Sequence, residues 1–289
     1  MNKKILAAIG AVALCSSVAQ ADVESANVVG YQHVYLPKGW SFRTATFKTV
    51  GLESIDLTDI KPMRVNSGKI IDFDQSALGK CAGAIYVRFI DAVSGNYGTT
   101  YKYYSTLGED GEVNGWMYED ENKVMQRIAK GEVPITNGQG MIVNSSKNNN
   151  AAVFRFSGEV DLVNRTDIPK GWSFEGNSTP VDFDLVDMKP MRINKGEVID
   201  FDESVLGKCA GAIFICKIDA VSGNYGTAYK YYSTRGEDGL VNGWMYEDEN
   251  KELKRVLREE VTIAAGEGFI VNSSKGNGTA LMQLPKPIK

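Results

Sequence analysis

The chain has 289 residues, 43% of them hydrophobic and 24% charged, which suits a globular protein of roughly two domains and excludes disordered or collagen-like classes. Its 32 basic and 36 acidic side chains leave a net charge of -4, which argues against nucleic acid as a partner. The single histidine, His33, excludes a His-rich metal centre and allows at most one histidine-dependent catalytic apparatus.

The chain opens with Lys3 and Lys4, an apolar run from Ile5 to Cys15, and then Ala19-Gln20-Ala21. That order reads as a secretory signal over residues 1–21, cleaved after Ala21. The mature chain is then expected to be secreted to the periplasm, the cell surface or the medium, with 30 basic and 36 acidic residues. Leu14 stands where a lipoprotein signal needs a small residue, which speaks against lipid attachment at Cys15. Arg88 and Lys217 interrupt the two most apolar later runs, so no transmembrane segment is expected. Of the three cysteines that follow the signal, Cys209 and Cys216 fall in one strand, about 23 Å apart, too far to pair. Cys81 can reach Cys209 only if two domains meet there; the other reading makes all three buried thiols.

Past the signal the sequence is written twice. Lys61-Pro-Met-Arg64 returns as Lys189-Pro-Met-Arg192, and at that offset 50 of the 65 positions from 61 to 125 are identical. The match falls to 8 of 18 over positions 126 to 143. Lys38-Gly39-Trp40-Ser41-Phe42 matches Lys170-Gly171-Trp172-Ser173-Phe174 in a register longer by four, so an indel of the kind found in surface loops separates the two blocks. The resulting units, 22–156 and 157–289, each have the size of an independent domain rather than of a solenoid repeat.

Within the first unit, Val34–Leu36, Ile70–Phe73, Ala84–Ile90, Thr99–Ser105 and Gly140–Val143 are rich in β-branched and aromatic residues and bounded by turn formers, the pattern of short strands. Asp110-Gly111 and Asn114-Gly115 supply hairpin turns. Asp120–Lys130 is the one stretch with helical spacing, through Val124, Met125 and Ile128. The expected fold is mainly β: two tandem duplicated antiparallel domains of sandwich or barrel type, each with one short helix. Val28-Val29-Gly30-Tyr31, Leu36-Pro37-Lys38-Gly39-Trp40 and Gly138-Gln139-Gly140-Met141-Ile142-Val143 resemble motifs of uncharacterised secreted bacterial β-repeat proteins. The resemblance implies export and a β fold, and no activity.

Three constellations could carry function. Asp110, Glu112, Asn114 and Glu121, with Gly115 between, have the spacing of a calcium loop, in which a turning backbone gathers oxygen donors round a hard cation. The second copy keeps Asp238, Asn242 and Glu249 but has Leu240 in place of one donor, and the competing reading is a pair of hairpin turns. Calcium is therefore the only cofactor the sequence suggests.

The second constellation is aromatic. Tyr97, Tyr101 and Tyr103 share one strand face, joined by Trp116 and Tyr118 from the next strand and repeated with Trp244 and Tyr246. That face is either a sugar-binding platform or the sandwich core. If it is core, Tyr104 and Tyr232 on the opposite parity become the exposed candidates. The third is the carboxylate pair Asp72 and Asp74, repeated as Asp200 and Asp202, about 7 Å apart on one strand face, which suits metal chelation, acid and base catalysis or simple solvation. His33 falls beside the indel with no clear counterpart.

The polar run Glu119-Asp120-Glu121-Asn122-Lys123 is identical in both copies, while the neighbouring pairs Val124/Glu252 and Met125/Leu253 differ. Two equal weak sites on one chain gain by avidity, whereas two equal active sites gain only a factor of two. The expected function is a non-catalytic bivalent binding module for a glycan, an envelope component or a protein. A structural or surface-layer protein is the alternative, and a carboxylate-dependent hydrolase the third.

Overall fold

The computed structural model describes residues 29–286 except 50–51, 53, 74–79, 91–95, 137, 149–150, 161–164, 202, 204–206, 219–223 and 277. The expected leader and the carboxylates Asp74 and Asp202 lie outside the described residues.

Strands dominate because most segments alternate between a buried and a wetter side with turn residues between them. The first copy carries β1 (Val29–Leu36), β2 (Gly39–Thr44), β3 (Ser54–Asp56), β4 (Lys61–Asn66), β5 (Lys69–Asp72), β6 (Ala82–Ile90), β7 (Tyr97–Leu107), β8 (Val113–Glu119), β9 (Met125–Arg127), β10 (Pro134–Thr136), β11 (Gly140–Ser145) and β12 (Ala152–Glu159). The second carries β13 (Arg165–Asp167), β14 (Gly171–Gly176), β15 (Phe183–Asp184), β16 (Lys189–Asn194), β17 (Glu197–Asp200), β18 (Ala210–Ile218), β19 (Tyr225–Arg235), β20 (Val241–Glu247), β21 (Leu253–Arg255), β22 (Thr262–Ile263), β23 (Gly268–Ser273) and β24 (Ala280–Gln283).

Each copy has a four-stranded sheet, ordered β1-β12-β4-β5 or β13-β24-β16-β17, and a six-stranded sheet, ordered β2-β11-β6-β7-β8-β9 or β14-β23-β18-β19-β20-β21. A short ribbon, β3 with β10 or β15 with β22, completes it. Every pairing is antiparallel and no sheet closes on itself, so each copy is an open sandwich rather than a barrel. β12 runs to Glu159 in register with Val29, three residues past the expected unit boundary at 156.

The core of the first copy lies between its sheets, with Leu36, Phe154 and Phe156 on one side and Ile85, Val87, Tyr103, Trp116, Met141 and Val143 on the other. The second copy repeats it with Met282 and Leu284 against Ile213, Ile215, Tyr231, Trp244, Phe269 and Val271. Each buried indole also needs a partner for its N–H. Trp116 donates to the Ile60 carbonyl at 2.8 Å and Trp244 to the Met188 carbonyl at 2.7 Å, which ties the sheet to the three-residue 3-10 turn beside it.

The helix expected at Asp120–Lys130 does not form. Asp120 accepts the N–H groups of Asn122 and Val124, both at 2.9 Å, Lys123 takes a positive φ of 61°, and the chain turns straight into β9. A side chain that competes for local backbone donors favours a turn over a helix, and pairing with β8 outweighs the helical spacing of Val124, Met125 and Ile128. The four-residue indel is likewise more than loop, since Phe47 within it is buried in the core and Lys48 bridges to Glu159.

The copies meet through the outer sides of β2 and β11 against those of β14 and β23, with Phe42, Ile142, Phe174 and Ile270 forming a separate apolar cluster. These are equivalent positions, so an approximate two-fold axis relates the copies, and Phe42 meets its counterpart Phe174 at 4.7 Å between ring centroids. Gly140 and Gly268 permit the approach: a Cβ on Gly140 would fall 2.9 Å from Phe174 Cβ, and one on Gly268 2.9 Å from the Arg43 nitrogen.

Candidate functional site

The aromatic residues separate onto two sides of the six-stranded sheet. Tyr103 and Trp116 form a cross-strand pair facing the core, with Trp116 only 2% exposed, and Tyr231 and Trp244 repeat it. This corrects the reading of Trp116 and Trp244 as ligand-contacting residues, because their rings are enclosed and their N–H groups committed. Tyr118 and Tyr246 share that inner side, half-buried, edge-on to Tyr101 and Tyr229. Tyr246 also donates its hydroxyl to Glu260 at 2.9 Å.

The outer side is built by register. Trp40, Asn144, Tyr86, Lys102, Met117 and Arg127 form one continuous row across β2, β11, β6, β7, β8 and β9. Trp172, Asn272, Phe214, Lys230, Met245 and Arg255 form its counterpart. Trp40 stands edge-on to Tyr86 at 5.6 Å and Trp172 to Phe214 at 5.5 Å, while the Arg88 guanidinium lies over the rings of Tyr86 and Tyr97. Tyr104 and Tyr232 belong to this outer side and lie on Gly83 and Gly211. Those glycines have φ of 72° and 73°, and a Cβ on either would sit 2.8 Å from the tyrosine hydroxyl, so the ring rests where no other side chain fits. Tyr104 and Trp116 are thus on opposite sides of one sheet and cannot act as one platform.

The loop with calcium-like spacing is held differently. Asp110 and Asn114 both accept hydrogen bonds from Arg127, at 2.6 and 3.1 Å, and Asp238 and Asn242 accept from Arg255, at 2.7 and 3.1 Å. The guanidinium stands between two of the expected donors and holds the Asp110 and Asp238 carboxyls below the usual carboxylate range, helped by a backbone N–H to each. Beyond Asn114 the chain is β8, and an extended strand of that length carries Glu121 roughly 20 Å onward. The structure therefore does not gather Asp110, Glu112, Asn114 and Glu121, or Asp238, Asn242 and Glu249, round one centre. Among the described residues no group of three or more His, Cys, Asp and Glu side chains is placed to hold a metal. Asp72 pairs with Lys61 at 3.1 Å and Asp200 with Lys189 at 2.8 Å. Cys81, Cys209 and Cys216 are buried free thiols whose burial pushes their pKa up.

The junction holds what the sequence did not signal. The turn closed by Gln139 caps the edge strand β14 through a bridge between Gln139 and Glu175, and the turn closed by Glu267 caps β2 through a bridge between Glu267 and Arg43. Gln139 is equivalent to Glu267 and Glu175 to Arg43, so each copy covers the open edge of the other. A cavity of about 580 Å³ lies beside Glu175 and one of about 430 Å³ beside Arg43. His33 has a counterpart after all: it faces Arg155 in β12 as Arg165 faces Gln283 in β24, and each lines one of these cavities. The strand pairing agrees with the register of Lys38–Phe42 on Lys170–Phe174, which carries His33 onto Arg165.

No helix among the described residues is long and apolar enough to cross a membrane. In comparison with known proteins, the chain matches no protein-family model and no curated protein sequence.

Proposed function

We propose that this protein is an exported, non-catalytic binding module that engages a glycan of the cell envelope through the outer sides of its two six-stranded sheets. The observation that carries the reading is the repeated outer arrangement, Trp40, Tyr86, Lys102 and Tyr104 in one copy and Trp172, Phe214, Lys230 and Tyr232 in the other. Sugar rings offer apolar faces to aromatic rings and hydroxyl edges to amide and ammonium groups, and the same residue types stand side by side here. Two such surfaces on one chain raise the affinity for a polymer by about 10² through effective concentration.

The test is a glycan array probed with the mature chain. Tyr104→Ala and Tyr232→Ala, singly, should each cost about two orders of magnitude in apparent affinity for a polymeric ligand, and together should abolish binding. Unchanged binding by the double variant would remove the reading.

A structural role is the second reading, favoured by β1. It is an edge strand of its sheet and exposes Tyr31 and Tyr35. Concentration-dependent assembly in sedimentation, lost on replacing Tyr31 with Lys, would support it.

A further inference from the structure

We propose that the junction cavity lined by Glu175 is a binding site for a small organic cation, an alkylammonium or guanidinium group on a short apolar body, with the Glu175 carboxylate as its counter-charge. The inference is independent of the outer sheet faces.

The argument rests on the two quasi-equivalent cavities. In the one beside Arg43, the half-buried guanidinium donates to the carbonyls of Phe42 and Tyr35, at 2.9 and 3.2 Å, and the burial that pulls its pKa down is opposed by the attractive field of Glu267. Glu267 is itself paired with Lys217 at 3.1 Å. An opposite charge from the protein thus faces Arg43, although its Nε finds no acceptor.

At the equivalent place in the other cavity stands Glu175, 7% exposed, and across the bridge from it is the neutral Gln139, whose side-chain oxygen is occupied by the Thr136 N–H at 3.1 Å. No cationic side chain is paired with Glu175 among the described residues. Arg165, on the same wall, directs its Nε to Gln283 at 3.0 Å, and the charge that acts on Glu175 is the like charge of Asp167. The Ser173 hydroxyl falls short of hydrogen-bond geometry, although it is near enough to favour the ionised form slightly. Burial outweighs it and pushes the carboxyl up to about 8. The ionisable groups facing the cavity are thus Glu175, Asp167 and Arg165; its other walls, including Ile90, Phe174 and Pro169, are neutral.

A buried carboxyl without a counter-ion stays protonated, and one beside a space of about 580 Å³ can take its counter-ion from solution. The apolar walls select an organic body over a bare metal ion. Binding converts the Glu175 acid and a free ammonium into an ion pair and passes one proton to the buffer. Between pH 6 and about 8 the apparent Kd should therefore tighten up to tenfold per unit, and it should level off above.

The experiment is calorimetric titration of the mature chain with n-butylammonium chloride and with 1,4-diaminobutane, against n-butanol and sodium chloride at matched ionic strength. The expected result is saturable binding of the amines and not of the controls. Buffers of different ionisation enthalpy should report release of close to one proton at pH 7. Glu175→Gln, which mimics the protonated acid and so keeps the fold, should weaken binding at least tenfold, while Tyr104→Ala with Tyr232→Ala should leave it unchanged. Absence of amine binding at pH 8.5, equal binding by Glu175→Gln, or binding without proton release would each overturn the proposal. The proton count and pH dependence need no variant and decide the matter if Glu175→Gln fails to fold.

Discussion

Strand β6 and its counterpart β18 differ at four consecutive positions, Tyr86-Val-Arg-Phe89 against Phe214-Ile-Cys-Lys217, whereas the hairpins β7–β8 and β19–β20 that follow differ at three of the 28 positions from 96 to 123. The first pair lies next to the junction, and the second reaches it only at the start of β7 and β19, where Tyr225 lies near Tyr97 and Ile90. Changes near the junction also go together. Arg88 donates to Thr100 at 2.7 Å across two strands, and the second copy replaces both, with Cys216 opposite Ala228. Residues at the flanks of the junction, where Arg43 meets Glu267 but Glu175 meets Gln139, see different surroundings in the two copies, while Phe42 and Phe174 at its centre, like residues far from it, meet the same surroundings twice. Divergence therefore marks the asymmetric contact, and identity marks what both copies do alike.

The largest effect that can break this comparison is in the core. Trp116→Ala and Trp244→Ala should each cost about 3–5 kcal/mol in urea unfolding. The two values should agree to within about 1 kcal/mol, because the hairpins that carry them are nearly identical; a large disparity would show that the copies are not equivalent away from the junction.

At the junction, Gly140→Val combined with Gly268→Val drives side chains into Phe174 and Arg43 and should cost about 1–3 kcal/mol. Small-angle scattering should show the copies moving apart while circular dichroism keeps its strand signal.

Glu175 makes the asymmetry visible in pH. Its folded pKa is raised from 4.5 to about 8, so across that window the folded chain holds a proton that the unfolded chain has lost. Stability then falls as pH rises through the window, by about 1.4 kcal/mol per unit, and is level above about 8. Glu175→Gln should remove that slope and Arg43→Met should leave it in place. The smallest effect belongs to the exposed pairs: Asp110→Asn and Asp238→Asn should lower the melting temperature slightly and equally, and 1 M salt should erase the difference.

Much of the fold was legible because it rests on local signals. Alternation in β7 placed Tyr103 and Tyr104 on opposite faces, Asp110-Gly111 marked a real turn, and the repeat announced two equivalent β domains. The misread helix shows where such signals fail: Val124, Met125 and Ile128 have helical spacing, but the Asp120 turn and the pairing of β9 with β8 are interactions that spacing does not report. The partner of the calcium-like loop was hidden for a similar reason, since Arg127 lies outside the motif and reaches it only across the sheet. Glu175 was invisible. In sequence it is one acid among 36, and its character comes from burial under a turn that belongs to the other copy.

The junction has the form of an isologous dimer interface made within one chain. In a homodimer the same residue must occupy both sides of the axis, so an acid at position 175 would face its own image's partner twice over, and Arg43 opposite Glu267 could not coexist with Glu175 opposite Gln139. Fusing the two halves lifts that restriction. It keeps the partner at high local concentration and lets each side of the axis evolve alone, so a symmetric scaffold can carry one answered charge and one unanswered one.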